Sequence, residues 1–198
     1  MKRELAIELS NLKKITNYDA KLEQYQTESE IAADILWNAY LSGDVKDKVI
    51  ADFGCGNGIF GIGALLLGAK KVYFIDIDEE AIKITKQNLK ELKLKGSIFF
   101  GDVENFNKKV DVVLENPPFG VQERKADKKF LLKSFEVANK IYSFHKIESG
   151  GFMKKISSEH NFRIVGIKKI KFRLRKTMKH HKKEKYDVDV GIWVLERE

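Results

Sequence analysis

The chain has very few of the residues that staple or break a fold. Its 198 residues include one cysteine, Cys55, and two prolines, Pro117 and Pro118, which stand side by side. A single cysteine excludes an internal disulfide framework, and the four histidines fall into no metal-ligand spacing with it, so no metal site is expected. So little proline, alongside 43% hydrophobic residues, excludes the composition of a disordered chain. No apolar run approaches membrane-spanning length, and the opening MKRELAIELSNLKKITNYD is interrupted by charge every few residues, leaving no signal-peptide core. A soluble, cytoplasmic protein in a reducing compartment is the expectation, folded as one domain over residues 1–198.

Positive charge is in excess, with 37 Lys and Arg against 29 Asp and Glu and a formal charge of +8, which points to a polyanionic partner. The excess is local. Residues 168–185 read KKIKFRLRKTMKHHKKEK, with Glu184 alone offsetting the cations. Lys179, Lys182, Lys183 and Lys185 are the candidate phosphate contacts, and a merely solvated hairpin is the alternative.

Hydrophobic periodicity orders the chain. Leu5, Leu9 and Leu12, then Ile31, Ile35 and Leu36, recur at helical spacing among charges and predict two amphipathic helices before Gly43. KVIADFG reads as a strand, IFGIGALLLGA as a helix stopped at Gly68, KVYFID as a second strand and DEEAIKITKQNLKELKLKG as a second helix, a βαβ unit. Asp78, Glu79 and Glu80 suit the positive end of that helix, with Asp78 as its N-cap. Strands follow at SIFF, VDVVLEN and IYSFHK, with a helix around residues 128–140. FRIVGIKKIKFRLR and YDVDVGIWVLER close the chain with no helix between them, so they are expected to pair as an antiparallel hairpin. The alternation predicts an α/β fold with a mostly parallel, doubly wound sheet.

DFGCGNGIFG sets Gly54, Gly56 and Gly58 directly after a strand, where missing side chains let the backbone turn sharply and approach a nucleotide-type ligand. Gly56, Gly58 and Gly61 also satisfy the dinucleotide fingerprint, and Asp76 follows Gly56 at its customary spacing of about 20 residues. Asp52 favours S-adenosylmethionine over a dinucleotide, since a carboxylate there suits the cationic amino acid end of the former and repels the pyrophosphate of the latter. In either case Asp76 can accept the ribose hydroxyls, Ile77 and Val103 can flank the adenine, and Asp102 can accept its amino hydrogens. Cys55, with no histidine near it in sequence, reads as a small buried hydrophobe rather than a nucleophile.

The prolines belong to VDVVLENPPFG, a strand that runs into Asn116, Pro117, Pro118 and Phe119 at the carboxyl edge of the sheet, where open α/β sheets bind ligands. An aromatic amine is a poor nucleophile because its lone pair is delocalised into the ring. A methylase must therefore hold the amine hydrogens in acceptors that favour a pyramidal nitrogen, and the Asn116 side-chain oxygen with the Pro117 carbonyl can do so. Proline fixes φ and brings no competing N–H, while Phe119 offers a face for an extruded base. A methylated aromatic ammonium loses its proton to water, so no histidine or cysteine base is required. A plain turn is the structural alternative, since Asn-Pro-Pro is also good turn chemistry.

With these motifs the chain resembles the Rossmann-like class I methyltransferases that carry an N-P-P-F motif, above all the methyltransferase-like family that makes N6-methyladenosine in small-subunit ribosomal RNA. LEQYQT, DFGCGNGIFGIGALLLGA, FIDIDEEAI, NPPFG, IYSFHK and HHKKEKYDVDV carry the resemblance over nearly the whole chain. It implies a seven-stranded sheet with an antiparallel final hairpin and S-adenosylmethionine as cofactor. Residues 1–43 would form a helical lid on a core of residues 44–198, with Gln24 and Thr27 over the cofactor. Gly54, Asn57 and Ile59 would meet its methionine side, Asp76, Asp102 and Val103 its nucleoside, and residues 116–119 the target adenine. It further implies a small zinc-binding activator protein on the edge strand SIFF, whose unpaired backbone is otherwise an aggregation hazard. Guanine-N2 methylation of RNA and glutamine methylation of protein use related motifs and remain alternatives, as does a catalytically silent RNA-binding module; an NAD-dependent dehydrogenase is more remote.

Overall fold

A computed structural model describes residues 1–16, 27–118, 126–175 and 185–198. Seven strands form one sheet in the order β3-β2-β1-β4-β5-β7-β6. β1 (Val49–Phe53), β2 (Lys71–Asp76), β3 (Ser97–Phe100), β4 (Val112–Glu115) and β5 (Lys140–Lys146) run parallel. β7 (Lys185–Arg197) lies antiparallel between β5 and β6 (Phe162–Arg175), so the expected terminal hairpin is present. β1 and β4 read as near-continuous apolar runs because both faces of a central parallel strand are covered.

Six helices do the covering: α1 (Lys2–Ser10), α2 (Ser29–Leu41), α3 (Ile59–Leu66), α4 (Glu79–Glu91), α5 (Ala126–Val137) and α6 (Gly150–Glu159). Alternation along each strand divides the core in two. Ile50 and Phe74 join Leu5, Leu9 and Leu36 of the first two helices and Ile62 of α3, whereas Ala51 and Ile75 join Leu131 and Phe135 of α5 and Met153 of α6. No helix among the described residues is long and apolar enough to cross a membrane.

Several boundaries differ from the sequence reading. Leu12 is buried but follows the end of α1. α4 stops at Glu91, short of Gly96, because Lys93 takes a left-handed φ of 54°. α5 ends at Val137, since Lys140 is already paired in β5 with Val112 and Glu196. α6 was unforeseen: it opens on two glycines, which are poor helix formers. β3 is an edge strand as expected, and its outward side chain is Phe100, 60% exposed, whereas Ile98 packs on the core and Phe99 stands edge-on to Phe106.

α3 lies so close to β2 that a Cβ on Gly61 would come within 2.3 Å of the Phe74 ring. Glycine is required there by close approach rather than by an unusual φ. Gly61→Ala should therefore lower the stability by about 1–3 kcal/mol through overpacking, read as a lower urea midpoint, and an unchanged midpoint would show that Phe74 can move aside.

Candidate active site

After β1, β2 and β3 the chain returns to the other side of β1 as β4, and such a reversal opens a crevice at the carboxyl ends of the strands. Phe53 pairs with Ile75 on one side and Glu115 on the other. Gly54, Asp76 and Asn116 therefore emerge together on one edge. Gly54, Gly56 and Gly58 all have positive φ. A Cβ at Gly56 would meet nothing within 4 Å, so the loop presents bare backbone to open space there, whereas Gly54 packs on Phe130 and Gly58 on Ile62 and Thr85. The outer turn is rigid all the same: Gly58 N–H donates to the Cys55 carbonyl at 2.8 Å and the Thr85 hydroxyl to the Gly56 carbonyl at 2.8 Å. Cys55 is buried and unoxidised, and burial foremost raises its thiol well above the usual range, which agrees with a packing role.

The acids take distinct positions. Asp76 ends β2, and its two carboxylate oxygens accept from Gly56 N–H at 2.8 Å and Asp78 N–H at 2.9 Å. Each oxygen keeps acceptor capacity, and burial, against these hydrogen bonds, shifts the group upward. Asp78 caps α4 by accepting from Glu80 N–H, as expected. Asp102 caps a short 3-10 turn over Val103–Asn105 and pairs with Lys129 at 2.6 Å. Its burial opposes ionisation, but Lys129 and the Glu104 N–H outweigh that and hold its carboxyl below the ordinary range. Ile77 is 53% exposed beside this row of acids, while Val103 and Ile59 are buried.

Two expectations need correction. Asp52 does not face the crevice; it is 1% exposed and accepts from Gly61 N–H at 2.8 Å, so it anchors the first turn of α3. Asn57 likewise turns its side chain inward, donating to the Lys13 carbonyl at 3.1 Å. Asn88 completes that clip, accepting from Lys13 N–H at 2.8 Å and donating to the Asn57 carbonyl at 2.9 Å, which ties the segment after α1 to the glycine loop. Sequence separation of 44 and 75 residues hid both links.

Across the crevice, Asn116 Nδ2 donates to the hydroxyl of Thr27, a buried residue, at 3.2 Å. Asn116 Oδ1 is buried with no hydrogen-bond partner among the described residues. Pro117 is buried and Pro118 half-buried. Gln24, Phe119, Lys179, Lys182 and Lys183 lie outside the described residues; Lys185 opens β7, and its side chain lies outside them too.

Behind Asn116 lies a group that sequence reasoning missed. Glu115 is fully buried and accepts from the hydroxyls of Ser134 and Ser143, both at 2.6 Å, and Ser143 Oγ lies 2.8 Å from His145 Nε2. Burial pushes Glu115 up to about 7, against those two hydrogen bonds, and pushes His145 down to about 3. The signal was present as a glutamate ending an apolar strand, with Ser143 and His145 two apart in IYSFHK.

A sheet of this order with a glycine loop after its first strand, an acid ending the second and another just beyond the third defines a Rossmann-like methyltransferase. The chain belongs to the methyltransferase small domain family, whose pattern matches residues 26–188. It is 33% identical to the rRNA N(6)-adenosine-methyltransferase METTL5 of Danio rerio over 86% of either protein. A Pyrococcus horikoshii protein provisionally assigned as an RNA methyltransferase is 43% identical and superimposes with a TM-score of 0.92 over 99% of this chain and 97% of that one. The fold extends to the magnesium protoporphyrin IX methyltransferase of Synechocystis PCC 6803, solved with S-adenosylmethionine bound, at 17% identity and a TM-score of 0.67 over 85% of this chain and 79% of that one.

Burial lifts Asp52 from 3.8 to about 8, against the Gly61 hydrogen bond and with the charge of Asp76 adding to it. The folded state thus holds this proton more tightly than the unfolded state. Its contribution to stability is complete below the unfolded value of 3.8 and is lost as pH rises through about 8. Asp52→Asn, neutral throughout, should gain stability relative to the parent chain across that interval. The difference in urea midpoint should widen as the pH is raised, and a constant difference would show that Asp52 is ionised in the fold.

Proposed function

We propose that the chain transfers a methyl group from S-adenosylmethionine to the N6 amine of an adenosine in ribosomal RNA. The observation that carries this reading is the buried, unpartnered Asn116 Oδ1 beside an open glycine loop. A buried acceptor without a donor is unfavourable by about 1–3 kcal/mol, and an amine hydrogen is the donor that would satisfy it.

The residues present fit the cofactor. Bare backbone at Gly56, in a loop whose tight turn Gly54 and Gly58 permit by their positive φ, suits its methionine side, with buried Ile59 opening α3 after the loop. Asp76 keeps acceptor capacity for the ribose, Ile77 offers an exposed apolar flank for the adenine with Val103 beneath, and Asp102 lies beside them as an acceptor. Thr27, and Gln24 before it, would close over the site. S-adenosylmethionine supplies an electrophilic methyl group. Asn116 Oδ1 and the Pro117 carbonyl accept hydrogen bonds from the two amine hydrogens and favour a pyramidal nitrogen; Phe119, outside the described residues, is the candidate to stack on the base. As the carbon–nitrogen bond forms, the methyl carbon's bond to the sulfonium sulfur would break, S-adenosylhomocysteine would leave and one amine proton would pass to water, so the buried thiol of Cys55 has no part in the reaction.

The basic residues 168–185 favour RNA as substrate, as does the name of the METTL5 relative. Labelled methyl should enter ribosomal RNA as N6-methyladenosine when the nucleosides are resolved by mass spectrometry. N2-methylguanosine, or label in protein, would replace the assignment, and RNA binding without transfer would mark a silent module. Asn116→Ala should lower transfer by about 100-fold or more with cofactor affinity nearly intact. Asp76→Ala should instead weaken cofactor binding by about 1.5–3 kcal/mol in calorimetry. The reverse pattern would exchange the two roles.

The free edge of β3, with Phe100 outward, supports a second chain adding a strand there, in keeping with a small zinc-binding activator protein. Phe100→Lys should break that pairing in cells. A lone chain that is monodisperse and fully active, with Phe100→Lys harmless, would remove the partner.

A further inference from the structure

Glu115 immediately precedes Asn116, yet its side chain enters the opposite face of the sheet. There it joins three elements: Ser134 comes from α5, Ser143 from β5, and the chain continues to His145 at the carboxyl end of β5. All four side chains are buried, so none of these hydrogen bonds exchanges readily with water.

The donors can be counted. Each serine hydroxyl has one hydrogen, and both go to Glu115 when its two oxygens act as acceptors. Ser143 then has only lone pairs left for His145, so Nε2 must carry the imidazole proton. That leaves the Nδ1 lone pair toward the Asp127 carboxylate, 3.8 Å away, an arrangement the carboxylate opposes. Asp127 favours the other tautomer, and Glu115 is what prevents it. Glu115 thus dictates a hydrogen-bond direction that runs through two strands beneath the catalytic loop.

We propose that Glu115 is a positioning residue, which locks the carboxyl ends of β4 and β5 to α5 through Ser143, His145 and Ser134 and so fixes where Asn116 and Pro117 point. The inference rests on the methyltransferase reading of Asn116. A shift of about 1 Å in a reacting group lowers turnover by about 100-fold, so an anchor one residue away has a measurable effect.

The test uses the full chain with ribosomal RNA and S-adenosylmethionine. Glu115→Leu should lower kcat by about 10- to 100-fold while the calorimetric Kd for the cofactor stays within about twofold. Glu115→Gln, which fills the same space and still bonds both serines, should restore most of the turnover. Should Glu115→Leu fail to fold, Ser143→Ala severs the same chain and should show the same kcat loss at unchanged cofactor affinity. Nitrogen NMR of His145 at alkaline pH supplies a readout independent of activity. The parent chain should show the Nε2–H tautomer, and Glu115→Leu, which frees Ser143 to donate to Nε2, the Nδ1–H tautomer. Parental turnover in the Leu or Ala variant, a Gln variant as slow as the Leu variant, or an unchanged tautomer would each overturn the proposal. A parent chain that transfers no methyl would instead overturn the methyltransferase reading, leaving the tautomer measurement to decide the anchor.

Discussion

The parallel pairing of β1 with β4 is the constraint on which the rest of the site depends. It sets Phe53 opposite Glu115, so that the glycine loop and the Asn-Pro-Pro turn leave the sheet as neighbours although 62 residues separate Gly54 from Asn116. Only the return of the chain across β1 brings them together, and both strands must be covered on both faces for that central pairing to be stable. The apolar runs that look least informative about function are therefore what assembles it.

Around that pairing, buried carboxyl groups hold their neighbours in place, Asp52 and Asp76 through backbone amides and Glu115 through two serine hydroxyls. Asp52 fixes the first turn of α3, Asp76 fixes the glycine loop, and Glu115 fixes the turn across the crevice from it. Each is disfavoured as a charge by burial and is retained through hydrogen bonds to its neighbours. An amide held by a carboxylate cannot swing into the ligand's space, so the site is organised before anything binds. Asn116 Oδ1 is the complementary case, a buried polar atom left without a donor where a substrate amine can supply one.

Much of this was legible in order along the chain. The glycine loop, the acid ending β2, the Asn-Pro-Pro turn and the closing hairpin depend on local pattern: apolar period, glycine placement and proline geometry. α6 was missed because it opens on two glycines, which favour a loop reading, and α5 was drawn too long because Lys140 suits a helix until β4 and β7 claim it for the sheet. Asp52 and Asn57 were read as ligand contacts because type and position suit that role, whereas direction was decided by an amide of α3 and a carbonyl after α1.

By itself the sequence determined the class of fold and the residue types at the crevice, because these are set by backbone conformation and by short-range spacing, while its motifs together carried the resemblance that implies S-adenosylmethionine. The tertiary structure alone decided which way each polar side chain faces and with whom it pairs. Glu115, Ser134, Ser143 and His145 become one hydrogen-bonded chain only when β4, β5 and α5 are packed, since a buried donor must find its acceptor in space and not along the sequence.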